Sequence, residues 1–178
     1  LTVSYSTNGG ASFTTTGALL SAQPSYPGIG SQSAAVCPVT GDFYVIISEA
    51  NGAGAPDTIY DTDSGHSYLF KSTNSGASWT GYNLKTINGG AWSDYHVTDI
   101  AIRSDGIIGL VFYYQQYTNY GASKVAFTDG SFSSWTTFTS GIGQVALNVA
   151  YNGDFFYERT PNGLDGSINA NLNVYKYT

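Results

Sequence analysis

A nine-residue stretch occurs twice in this chain. Ser6-Thr7-Asn8-Gly9-Gly10-Ala11-Ser12-Phe13-Thr14 returns as Ser72-Thr73-Asn74-Ser75-Gly76-Ala77-Ser78-Trp79-Thr80, identical at seven of nine positions and offset by 66 residues. An internal repeat at this spacing means one supersecondary unit used more than once, each copy burying its apolar face on the next. A degenerate third copy, Thr128-Asp129-Gly130-Ser131-Phe132-Ser133-Ser134-Trp135, keeps the closing Trp but misplaces the Gly. Between the copies lies a second repeated pattern: an apolar strand, a turn with Gly, and another apolar strand. It spans 34–48 (turn Thr40-Gly41-Asp42), 98–114 (turn Ser104-Asp105-Gly106) and 144–157 (turn Asn152-Gly153-Asp154). Asp-Gly and Asn-Gly favour hairpin turns because these residues tolerate positive φ.

Each repeat of 50–65 residues thus holds about four strands, two in the hairpin and two flanking the serine–asparagine motif. Four strands per repeat is the signature of a propeller blade. Composition agrees. Tyr (15 copies), Phe, Val, Ser, Thr and 22 Gly dominate, while Glu (two), Lys (four), Arg (two) and Met (none) are scarce. That favours strands and turns and excludes helical bundles, coiled coils and crossover α/β sheets. The expected fold is all-β: a β-propeller-like array of four-stranded antiparallel blades, incomplete at about three blades and about 13 strands, forming one domain over 1–178. Closed propellers need roughly four to eight blades. The sequence therefore leaves three arrangements open: a fragment, a ring completed by copies of the chain, or an open stack whose strand edges pair between subunits.

The motif Ser-x-Asn-x-Gly-x-Ser-aromatic resembles the Asp-box, or BNR repeat, of sialidase-like propellers. Ser6, Asn8, Gly10 and Phe13, and Ser72, Asn74, Gly76 and Trp79, match it, with Asn in the Asp position. Asn keeps the acceptor oxygen for turn N–H groups but not the charge. The resemblance implies an outer turn between the third and fourth strands of a blade. There the serine bonds back across the turn, and Phe13 and Trp79 pack over it. It implies a structural role for these residues, away from any central pocket. It also implies two function classes: a non-catalytic secreted or receptor module, or a sialidase-like glycoside hydrolase. A site resembling that of the family's enzymes would need three arginines, and the chain has Arg103 and Arg159 alone. In Tyr157-Glu158-Arg159, strand alternation puts Tyr157 and Arg159 on one face and Glu158 on the other. The leading expectation is an extracellular or cell-surface module without catalysis, binding glycans or copies of itself, as a homo-oligomer or as part of a longer chain. The alternative is part of a sialidase-like glycoside hydrolase.

Candidate binding residues follow from local chemistry. Trp92-Ser93-Asp94-Tyr95-His96, with Asp99 shortly after, is the densest polar–aromatic cluster. Trp92 and Tyr95 suit stacking on a sugar ring, and Asp94 and His96 suit hydrogen bonds to its hydroxyls. Tyr117 belongs to an aromatic run with Tyr113, Tyr114 and Tyr120, suited to a glycan or a neighbouring subunit. Asp57, Asp61 and Asp63, with Gly65, form an oxygen-rich stretch suited to Ca2+, although the closing Glu of an EF-hand is missing. Two His and one Cys disfavour zinc. Cys37, in an apolar run, is expected to be a buried thiol.

Net charge is −6, and the six cations are scattered with no basic stripe, which disfavours nucleic-acid binding. No apolar run approaches the ~18 residues of a membrane-spanning helix. The chain begins at Leu1 and has no Met, so a cleaved mature chain or a piece of a longer one is expected. Low charge with abundant Ser, Thr, Asn, Gly and Tyr suits an exported protein.

Overall fold

The structure, a computed structural model, describes residues 2–16, 28–50, 67–84, 95–113, 122–142, 144–149, 154–160 and 173–177. Thirteen strands run through them: β1 (Ser4–Tyr5), β2 (Thr14–Thr15), β3 (Gly28–Val36), β4 (Phe43–Ala50), β5 (Ser67–Ser72), β6 (Thr80–Asn83), β7 (His96–Ile102), β8 (Ile108–Tyr113), β9 (Ala122–Thr128), β10 (Thr136–Ile142), β11 (Gln144–Val149), β12 (Phe155–Thr160) and β13 (Asn173–Tyr177). They form four antiparallel sheets in simple meander order: β1-β2, β3-β4-β5-β6, β7-β8-β9-β10 and β11-β12-β13. The described residues contain no α-helix, and the fold is a propeller-like array of blades.

The blades stack because central strands such as β4 and β8 carry apolar residues at both parities. In β4, Tyr44 and Ile46 belong to one cluster and Val45 and Ile47 to another. In β8, Ile108, Leu110 and Phe112 face one way and Val111 the other. A sheet buried on one face alone would alternate apolar with polar; here both faces are apolar because both are covered. Three clusters result, one per blade interface. The β1–β2 hairpin meets the β3–β6 blade at Val3, Val45, Ile47 and Phe70. The β3–β6 and β7–β10 blades meet at Tyr44, Ile46, Leu69, Val97, Leu110 and Phe112. The β7–β10 blade meets the β11–β13 sheet at Val111, Val125, Phe127, Leu147 and Phe155. Burying each such side chain contributes about 1.5–3 kcal/mol.

The first strand of each larger sheet is the inner one: β7 touches β3 on one side and β11 on the other. A bulge in β7 helps. The register against β8 slips between Val97 and Asp99, so Val97 and Ile100, three apart, both enter the same cluster. The β1–β2 hairpin has only two strands and covers only part of the face behind it. Val36, at the end of the innermost strand β3, stays 55% exposed.

Meander topology sorts the connections to two ends. The turns 6–13, 37–42, 73–79, 103–107 and 129–135 all join strands at one end. The segments 16–27, 51–66, 84–95, 114–121 and 161–172 join strand ends at the other.

Candidate functional site

At the tight-turn end the two repeated turns have the same wiring. In the first, the Ser6 hydroxyl donates to Asn8 Oδ1 (2.9 Å) and accepts from Gly10 N (2.8 Å). Asn8 Oδ1 also accepts from Ser12 N (2.9 Å), and Asn8 Nδ2 donates to Ser12 Oγ (2.8 Å). In the second, Ser72 donates to Asn74 Oδ1 (3.0 Å) and accepts from Gly76 N (2.8 Å). Asn74 bridges to Ser78 through N→Oδ1 and Nδ2→Oγ bonds, both 2.8 Å. The asparagine amide therefore accepts at Oδ1 and donates at Nδ2, where an ionised carboxylate could only accept. Every one of these partners lies within the turn, which makes the motif a structural clasp.

Their surroundings differ. Gly76 (φ +88) lies under the Tyr5 ring of the preceding hairpin; a Cβ there would sit 2.7 Å from Tyr5 Cδ1. Trp79 packs against the same interface and its indole N–H donates to Gly76 O (3.0 Å). Gly10, also at φ +88, has nothing within 4 Å of such a Cβ among the described residues, and Phe13 is 66% exposed. The expectation that Phe13 packs over its turn is thus corrected. In the second copy of this repeat the aromatic packs on the blade before its own.

The third turn is wired otherwise. Asp129 Oδ1 accepts from Ser131 N (2.9 Å), and Phe132 adopts φ +59. That conformation places the Phe132 ring 4.4 Å from Tyr82 and within 6.4 Å of Tyr44, beside Trp135 at 6.0 Å. Thr128, at the position of Ser72, has lost the glycine N–H that serine holds, and its buried hydroxyl is unpartnered. A cavity of about 200 Å3 lies beside it, lined by Ile107, Phe127, Thr128, Asp129, Ser134 and Thr136.

Of the binding candidates, Tyr95 and His96 are described and belong to the other end; Trp92, Asp94 and Tyr117, and the Ca2+ candidates Asp57, Asp61 and Asp63, lie outside the described residues. Tyr95 and His96 open β7, and two buried serines of the previous blade pin them. Ser67 Oγ donates to Tyr95 O (3.0 Å) and accepts from Val97 N (2.9 Å). Ser48 Oγ sits 2.8 Å from His96 Nδ1. Lys124 Nζ lies 4.0 Å from the Tyr95 ring centroid, a cation–π distance. Burial lowers the Lys124 ammonium from its ordinary value. The result is a half-buried aromatic, an imidazole and a cation gathered where β7 begins.

Asp99 does something different from its neighbours in sequence. One oxygen accepts from Ile100 N (2.9 Å) and Ser33 Oγ (3.4 Å), and the other from Leu147 N (3.2 Å). It therefore ties the inner strands of three successive sheets. Tyr157 to Arg159 lie within β12, in register with Leu147 to Val145 of β11 and Tyr175 to Asn173 of β13. Among the described residues no group of three His, Cys, Asp or Glu is placed to hold a metal, and no helix is long and apolar enough to cross a membrane. Cys37 is buried as expected. Burial would raise its thiol, but hydrogen bonds from Thr40 and the Val39 backbone outweigh that and lower it.

Sequence reasoning had missed Ser48, Ser67 and Lys124. The available signal was a polar residue at the loop-side end of an otherwise apolar strand, and for Lys124 a lone charge within β9.

No family model and no curated protein matches this chain. Among solved structures it is similar to a crystal structure of CoXyl43, a GH43 β-xylosidase/α-arabinofuranosidase from a compost microbial metagenome, in complex with xylotriose in a calcium-free form. The identity is 16% and the TM-score 0.45, over 75% of this chain and 43% of that one. The chain thus spans less than half the length of that structure.

Proposed function

We propose that this chain is a non-catalytic, extracellular or cell-surface carbohydrate-binding module, with turns of the Asp-box type that serve its fold alone. The observation that carries this reading is the pinning of Tyr95 and His96, beside Lys124, at the end from which the long segments spring. An aromatic face with adjoining donors is the usual chemistry for a sugar ring and its hydroxyls. Trp92, Asp94 and Tyr117, outside the described residues, would extend this surface, and Asp57, Asp61 and Asp63, likewise outside them, would offer carboxylates to Ca2+.

The non-catalytic part of the proposal draws on Asp99. Most glycosidases need two carboxylates free to act on the scissile bond. Both Asp99 oxygens accept hydrogen bonds from the protein's own backbone or Ser33.

A glycan array on the purified chain, with and without calcium, followed by calorimetry on any hit, tests the reading. Binding that Tyr95→Ala and His96→Ala weaken at least tenfold, and that Asn74→Ala leaves unchanged, is expected. No binding at millimolar ligand, or hydrolysis of the bound glycan, would refute it.

A further inference from the structure

Register sets the cavity at the third turn beside the same place one blade earlier. Aligned at the turns, Thr128 and Thr136 stand where Ser72 and Thr80 stand in the β3–β6 blade. Phe127 then falls at Lys71, Ile107 at Asp42 and Gly109 at Tyr44. In the earlier blade Lys71 bridges to Asp42 (2.9 Å) and lies 5.5 Å from the Tyr44 ring centroid. The Phe132 ring, from the turn of the following blade, closes over Tyr44 and Tyr82. In the β7–β10 blade an isoleucine and a phenylalanine replace the ion pair, and a glycine replaces the tyrosine. Leu147 and Phe155 close in over Gly109, and the cavity of about 200 Å3 lies toward the turn.

Its lining is of two kinds. Ile107 and Phe127 give it an apolar floor, and Phe127, 3% exposed, is held by Phe155 at 4.8 Å. Three exposed polar residues stand around that floor: Asp129, Ser134 and Thr136. Thr136 is the register partner of Phe127 and so shares its face. Hydrogen bonds from Ser131, side chain first and backbone second, hold the Asp129 carboxyl below its ordinary value. Asp129 is therefore an acceptor at neutral pH, and the two hydroxyls both donate and accept.

The volume falls below the roughly 300–1,000 Å3 of pockets for drug-sized ligands, which limits the occupant to about one ring. A lone exposed carboxylate contributes little to holding a cation, so charge does not select the ligand. Hydrogen bonds at the rim of an apolar floor do, and they match a sugar ring with its hydroxyls outward and one C–H face down. We propose that this cavity seats one neutral pyranose ring of a glycan, with the ring on Phe127 and Ile107 and its hydroxyls on Asp129, Ser134 and Thr136. The ligand class rests on the carbohydrate reading above, but the residues are separate. Tyr95 and His96 stand where β7 begins, at the opposite end of the blade from the third turn. A chain with a sugar site at each end can bridge two glycan strands.

Proton–nitrogen correlation spectra of the full chain, titrated with the methyl glycosides of glucose, galactose, mannose and xylose, test this. Saturable shifts at the Asp129, Ser134 and Thr136 amides with at least one of them are expected. Thr136→Phe, which adds a ring at the cavity, should weaken that binding at least tenfold, and Tyr95→Ala should leave it unchanged. Circular dichroism melts check that both fold; Ser134→Phe and His96→Ala replace either that does not. Shifts at the turn without shifts at Tyr95 and His96 support this site and count against the other. Glycoside shifts confined to Tyr95 and His96 overturn the proposal and leave the first reading standing. Turn shifts that vanish with Tyr95→Ala, or none at tens of millimolar glycoside, also overturn it. So does saturation by benzylamine but by no glycoside, which would make the site one for an organic cation.

Discussion

Gly10 and Gly76 form an internal control, and replacing each with alanine separates backbone strain from blade docking. Both sit at φ +88, in turns wired by the same serine and asparagine bonds. A residue with a Cβ pays about 1–2 kcal/mol in the left-handed region. That cost applies to both variants. At Gly10 the new methyl meets nothing within 4 Å among the described residues. At Gly76 it would lie 2.7 Å from Tyr5 Cδ1 and 2.9 Å from Cε1, and Tyr5 is itself held edge-on against Phe43 at 6.4 Å. Pushing an aromatic out of a packed interface costs about 1–3 kcal/mol more. Gly10→Ala should therefore destabilise by about 1–2 kcal/mol and Gly76→Ala by about 2–5 kcal/mol. Urea unfolding of both variants, with unchanged m-values, reads the difference. In the double variant Tyr5→Ala/Gly76→Ala the two effects should be sub-additive, because the ring that the methyl strikes is gone. Equal midpoint shifts at positions 10 and 76, or strict additivity with Tyr5→Ala, would refute the docking of one turn on the preceding hairpin.

Other outcomes follow from the same geometry. Asn74→Ala removes three side-chain hydrogen bonds and should cost about 1–2 kcal/mol by urea unfolding. Phe132 has φ +59, so Phe132→Gly should be more stable than Phe132→Ala by about 1 kcal/mol, the reverse of the usual order in regular structure. Stability should also fall at alkaline pH. Burial holds the Tyr44 phenol above its ordinary 10.0, against the pull of Lys71. For Lys71 burial alone would lower the ammonium, but hydrogen bonds to Asp42 (2.9 Å) and Tyr44 outweigh it and hold it above 10.5. Both groups keep their protons longer folded than unfolded. Their contribution is complete below the unfolded values and lost as pH rises through the folded ones. Urea midpoints at about pH 8 and about pH 11 should show the decline, and Tyr44→Phe should flatten it.

What was legible from sequence was local. The turns were marked by Gly with Asn or Asp, the strands by β-branched and aromatic runs, and the blade order by the spacing of the two repeats. Strand count and meander order follow from those. What decides the rest is non-local. Phe13 and Trp79 occupy the same motif position, and nothing within nine residues says that one is exposed and the other packed against the neighbouring hairpin. The bulge in β7 shifts face parity in mid-strand, so simple alternation misplaces Asp99. In sequence that aspartate stands in a polar cluster with Asp94 and His96, yet its partners Ser33 and Leu147 lie 66 and 48 residues away. Likewise the serines that hold Tyr95 and His96 belong to the previous blade, at separations that no local pattern encodes.

A single two-dimensional NOE spectrum of the assigned protein tests the blade stacking itself. The account predicts one cross-peak set for each interface: Tyr5 ring to Gly76 Hα, Tyr44 ring to Phe132 ring, and Leu147 methyls to Gly109 Hα, where a Cβ would lie 2.7 Å from Leu147 Cδ2. Strand-pairing NOEs within each sheet, with all three of these inter-sheet sets missing, would contradict it.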